Sequence, residues 1–116
     1  MNTPLPPKRD LTPDQQIFVL ILTFPCLANR AQPWLNRATE FDPEHFHSLF
    51  ARATTLEALC SRFVLNVWNT HYARAKGWNF DLYAFMTCAD APSRAALLHW
   101  LRHPDPPYQS LAGDQR

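Results

Sequence analysis

Between Thr12 and His103 the apolar residues recur at three- and four-residue intervals, and no segment alternates convincingly as a half-buried strand does. Thr12-Pro13-Asp14-Gln15 supplies a capping hydroxyl, a proline at the first helical position, an acid in the first turn and a Gln placed to close a capping box. A helix is therefore predicted from Thr12, apolar on every side until Pro25. Such a helix belongs at the centre of a bundle or against another chain. A short helical turn is expected over 33–38. Asp42-Pro43 opens the next helix, with Phe41 and Phe46 spaced as a hydrophobic staple and Phe46, Leu49, Phe50 and Ala53 on one face.

The longest periodic segment starts at the capping box Thr54-x-x-Glu57 and stops at Gly77, placed as the residue after a helix end. Leu56, Leu59, Cys60, Phe63, Val64, Val67, Trp68, His71, Tyr72 and Ala75 form its apolar stripe, and Glu57, Ser61, Arg62, Asn66 and Asn69 its outer face. Asn79 or Asp81 caps a further helix carrying Leu82, Phe85 and Met86. Asp90 and Pro92 start the last one, with Leu97, Leu98 and Leu101 inward and His103-Pro104 as its stop. Pro13, Pro33, Pro43 and Pro92 all fit first-turn positions. These elements predict an all-α fold: one compact domain of four to five helices over 11–103, with an extended Pro-rich arm over 1–10 and a flexible tail over 104–116.

Composition agrees with a globular domain: 47% of the 116 residues are hydrophobic and 18% charged. The apolar run Ile17–Phe24 is flanked by Asp10, Asp14, Gln15 and Gln16 and extends only to Ala28. It is too short to span a bilayer, which takes about 20 residues, and it lacks a small-residue cleavage site, so it reads as a core helix. Cys26, Cys60 and Cys88 are odd in number, widely spaced and set in apolar surroundings. They are expected to be buried free thiols of a cytoplasmic protein rather than a disulfide framework. A net charge of +1 with scattered arginines weakens a dedicated nucleic-acid role.

Candidate chemistry is sparse. His99 and His103 share a helix face as paired metal ligands would, yet no third ligand motif accompanies them, so no metal or other cofactor is expected. Two glycines cannot build a phosphate-cradling loop. Arg94 and His99 make an R-x4-H spacing that resembles the signature of helical HEPN-type ribonucleases. The resemblance implies an Arg and a His acting on a scissile phosphate, usually across a dimer. It covers six residues, and Ala95 stands where that family usually has a polar residue. Pro4-Leu5-Pro6-Pro7-Lys8-Arg9 matches a polyproline ligand pattern.

What stands out is an aromatic share of 13%, spread over the whole chain with arginines nearby. Trp34, Arg37, Trp78, Tyr83, Trp100 and Arg102 have the composition of a contact patch and are the candidate partner-binding residues. The chain therefore reads as a small interaction module, an accessory subunit, adaptor or inhibitor without catalytic activity of its own. It would bind another protein or itself, and no membrane. A nucleic-acid-binding protein, or a ribonuclease using Arg94 and His99, is the alternative.

Overall fold

The computed structural model describes residues 11–103, and among these it contains seven α-helices and no strand. They are α1 (Pro13–Thr23), α2 (Pro25–Leu35), α3 (Pro43–Leu49), α4 (Thr55–Trp68), α5 (Thr70–Ala75), α6 (Leu82–Cys88) and α7 (Ala91–Arg102). The all-α class holds, while the helix count exceeds the expected four to five. The predicted arm, its polyproline pattern and the tail lie outside the described residues.

The caps explain why most helices start where the sequence places them. Thr12 and Gln15 close a capping box on α1, and Thr54 and Glu57 close one on α4. Asp42, Asp81 and Asp90 each accept from the backbone amide three residues on, His45, Ala84 and Ser93 respectively. Phe41 and Phe46 meet as the staple predicts, ring centres 5.5 Å apart.

One extra helix starts directly at the stop that the sequence places at Pro25, and another comes from a break that hydrophobic spacing does not reveal. Phe24 is forced extended by Pro25, which ends α1. The same proline then sits at the first position of α2, so the chain turns a corner and resumes at once. Pro33, expected at a helix start, lies inside α2 near its end, two residues before Leu35. Few backbone hydrogen bonds remain beyond it to be lost there. The expected turn over 33–38 is thus the end of a longer helix.

The segment 54–77 breaks at Asn69, whose backbone is extended and whose side chain caps α5 by accepting from the Tyr72 amide, 3.0 Å. The break resets the helical register. Ala73 turns inward, while His71 and Ala75, expected on the apolar stripe, are exposed. At the end of α5, Gly77 takes φ +79°, and the Trp78 and Gly77 amides bond the carbonyls of Ala73 and Arg74 at 2.8 and 3.0 Å. This Schellman motif folds the chain back so that Trp78 enters the core.

The central element is α4, which touches α1, α2, α3, α5 and α6. Its centrality corrects the place of Ser61. Expected on the outer face, it is buried, and its hydroxyl donates to the Ala58 carbonyl at 2.8 Å within the same helix. A hydroxyl satisfied by its own helix can face the core without a lone polar group. Around α4 the aromatic rings form a continuous cluster. Trp34 meets Phe18, Phe41, His45 and Phe46, and Phe41 meets Trp68, which meets Tyr72.

No described helix is long and apolar enough to cross a membrane.

Candidate interaction face

The six predicted contact residues do not form one patch. Trp34 is half-buried within the aromatic cluster, with Arg37 exposed just beyond the end of α2. Trp78 is buried and stacks on the His47 ring, centres 4.4 Å apart and planes 16° apart. Its apolar surface is used inside the chain. Tyr83, Trp100 and Arg102 belong to the last two helices.

Those two helices also carry most of the large apolar side chains left in solvent. Leu82, Tyr83 and Met86 on α6 are 56%, 79% and 47% exposed, and Leu98 and Leu101 on α7 are 49% and 56% exposed. Leu22 on α1 is the other large apolar side chain so exposed among the described residues. Leu98 and Leu101, expected inward, are therefore corrected to the surface. Ser93, Ala96 and Leu97 face the core instead, because α7 lies with its small residues against the bundle.

A hydrogen bond ties the start of α7 to the end of α6. Arg94, Leu98 and Leu101 are spaced four and three residues apart and share one side of α7. Arg94 Nη2 donates to the Met86 carbonyl at 3.1 Å, so this side of α7 runs up against the end of α6. Arg102, one turn beyond Leu98, borders the same stripe.

This placement also separates Arg94 from His99. Five residues apart on one helix, they point about 140° away from each other. Within one chain they do not converge on a phosphate. His99 instead lines a cleft of about 90 Å³ between α1 and α7, with Leu20, Thr23, Ala96, Trp100 and His103. The His99 and His103 rings lie 5.1 Å apart, and among the described residues no group of three His, Cys, Asp or Glu side chains is placed to hold a metal ion.

On the other flank of Trp100 lies an open cleft. Phe80 and Trp100 both stand edge-on to Phe63, each with ring centres 5.4 Å from it. Asn66, Asn79 and Arg74 form its polar rim. Trp100 is thus a wall shared by two clefts, with its ring packed against the core as well as lining the surface.

A third cluster pins α3 to α5. The Tyr72 hydroxyl donates to Glu44, and Lys76 Nζ pairs with the same carboxylate at 2.9 Å while lying over the Tyr72 ring. The Tyr72 hydrogen bond, then Lys76, holds the Glu44 carboxyl below its ordinary range. The arrangement reads as a clasp between helices.

Beside it, burial against Trp78 lowers the His47 pKa, and the Arg62 charge adds to the effect while Glu44 opposes it. The folded chain thus binds this proton less readily than the unfolded chain does. Stability from neutral His47 is fully present above its ordinary value of 6.5 and is lost as pH falls through that value toward the lower folded one. Thermal unfolding followed from neutral to mildly acidic pH should show a decline that is smaller in His47→Phe, which keeps a stacking ring without the titration. Equal declines in both chains would remove His47 as a source of the pH dependence.

Among the exposed large apolar side chains of α6 and α7 are two residues, Leu98 and Leu101, that hydrophobic spacing alone had placed inward. Comparison with known proteins adds no family to this description: no family model, no curated protein and no solved structure matches the chain.

Proposed function

We propose that the α6–α7 face docks on another protein and that the chain acts as an accessory subunit, adaptor or inhibitor without catalytic activity of its own. The observation that carries this reading is the concentration of exposed large apolar side chains on these two adjoining helices, against Leu22 alone elsewhere among the described residues. A soluble domain gains nothing by leaving such a set in water, whereas a partner that covers it recovers about 25 cal/mol per Å² of apolar surface. Tyr83 and Arg102 at this face are of the residue types that dominate contact energies. The three free thiols fit a cytoplasmic setting.

The test is a tagged pull-down from host lysate, treated with nuclease and read by mass spectrometry. The wild-type chain is compared with Leu98→Glu/Leu101→Glu and with an exposed control on α2, Asn29→Glu. Both altered positions on α7 are about half exposed, so the helical circular dichroism should persist. A stoichiometric protein should be recovered with the wild type and the control. The double variant should recover at least about 30-fold less, the equivalent of about 2 kcal/mol of contact energy. Equal recovery by all three chains would remove the α6–α7 face. Nucleic acid recovered in place of any constant protein would favour the nucleic-acid reading.

A further inference from the structure

The open cleft beside Trp100 has a volume of about 540 Å³. Small-molecule sites occupy about 300–1,000 Å³, so the space suits a ligand of modest size. Its aromatic surface is a trio of rings. Phe63 on α4 meets Phe80 and Trp100 at interplanar angles of 64° and 89°, and the latter two rings are half-buried, with area left for a ligand.

The polar groups of the cleft are fixed in what they can offer. Asn66 Nδ2 donates to the Arg62 carbonyl at 2.8 Å and to the Trp78 carbonyl at 2.9 Å. Both amide hydrogens are thus spent within the chain, and Oδ1 is the polar atom that Asn66 keeps for the cleft it lines. The Thr70 hydroxyl donates to the Asn66 carbonyl at 2.7 Å, which leaves only its lone pairs to bond a ligand. These two side chains, four residues apart, therefore offer acceptors and no donor. Asn79 on the opposite rim can do both. Arg74, exposed in the last turn of α5, forms no ion pair among the described residues. The described lining holds no Asp or Glu, so its charge favours an anion.

We propose that this cleft binds a purine mononucleotide, with guanine preferred. A flat base stacks on the free faces of Trp100 and Phe80, as bases do on aromatic side chains. Guanine presents N1–H and an exocyclic N–H side by side on its Watson–Crick edge, which matches the Asn66 and Thr70 acceptors. Its O6 accepts from the Asn79 amide. Adenine has a lone pair where guanine has N1–H, and would set acceptor against acceptor. Arg74 takes the phosphate, whose oxygens suit its planar fork. An apolar protein segment laid in the same cleft would cover the Asn66 oxygen and Arg74 without bonding either, at a desolvation cost. The described lining also holds no His or Cys, so its chemistry is binding rather than turnover. The site does not rest on the α6–α7 face, because its residues come from α4, α5, the segment 79–80 and Trp100.

Isothermal titration calorimetry of the full chain with guanosine 5′-monophosphate is the test, with adenosine 5′-monophosphate, guanosine and ribose 5-phosphate in parallel. The guanine nucleotide should bind saturably, one per chain, and each of the other three at least about tenfold more weakly. Arg74→Gln, an exposed change, should keep the helical circular dichroism. It should weaken the nucleotide at least about tenfold and leave guanosine as it was, since only the phosphate loses its partner. The proposal is overturned if guanosine 5′-monophosphate shows no saturable binding up to about 1 mM. It is equally overturned if that nucleotide binds no more tightly than the adenine nucleotide or ribose 5-phosphate, or if Arg74→Gln leaves its affinity unchanged.

Discussion

Phe46→Ala is expected to lower the thermal unfolding midpoint by more than 10 °C and to leave a chain only marginally folded at physiological temperature. Phe46 has no exposed surface and is ringed by Phe41, Phe50 and Trp34, with centres 5.5, 5.3 and 6.3 Å away. Its position is set by the Asp42 cap and the Phe41 staple, so α3 cannot shift easily to refill the space. Removing a buried phenyl ring from a packed core costs about 3–5 kcal/mol, the lost transfer energy plus the cavity left behind. A domain of this size has a total stability of about 5–15 kcal/mol, and each kcal/mol moves its midpoint by about 4–8 °C. Differential scanning calorimetry measures the shift directly. A midpoint within a few degrees of wild type would mean that the α3 aromatics do not form a packed core.

Ile21→Asp is expected to abolish folding at neutral pH, whereas Leu22→Asp, the adjacent substitution, should leave the fold intact. Ile21 is fully buried with Ile17 and Leu20, while Leu22 is 41% exposed. A carboxylate placed at Ile21 must either lose its hydration or be held protonated. Either costs several kcal/mol, and no basic residue stands in the last turn of α1 to pair with it. At Leu22 the carboxylate stays in water, and surface substitutions of that kind change stability by about 0.5 kcal/mol or less. Circular dichroism and urea titration of the pair separate the outcomes. If the two variants unfold alike, α1 has no outward side and the orientation described here is wrong. The comparison matters because α1 reads as apolar all round, and only its packing separates a core helix from a docking helix.

The local signals in the sequence were accurate wherever they depended on neighbouring residues. Capping boxes at Thr12 and Thr54, the Asp caps at residues 42 and 90, the staple at Phe41 and the Gly77 terminus all stand as read, and of the two caps offered for α6 the structure uses Asp81. Each is a contact between groups at most five residues apart, so the chain specifies it without help from the rest of the fold. The misreadings at Pro33 and Asn69 are of a different kind. Proline is tolerated near the end of a helix as well as at its start, and the same residue type carries both meanings. Asn69 looked like an outer-face residue because apolar spacing ran past it, yet its side chain competes for the backbone and starts a new helix.

Side-chain placement was legible only in part. Leu97, Leu98 and Leu101 are equally apolar, and their sequence cannot state which of them the bundle covers. Aromatic content was equally ambiguous. Trp78 turned inward because Gly77 reverses the chain beneath it, while Tyr83 stayed outside on a short helix whose buried residue is Phe85. Cys88, expected to be buried with the other thiols, is exposed at the end of α6, a placement that apolar spacing does not reveal.

The sequence alone determined the all-α class and most helix starts, because hydrogen bonds within a few residues and a helical apolar period suffice for both. The tertiary structure decided which apolar side chains the core leaves over, and which arginine and histidine fail to meet. Those are matters of how helices pack across large separations in the chain. Burial there is allotted by competition for a limited interior, and that competition is settled among all seven helices at once.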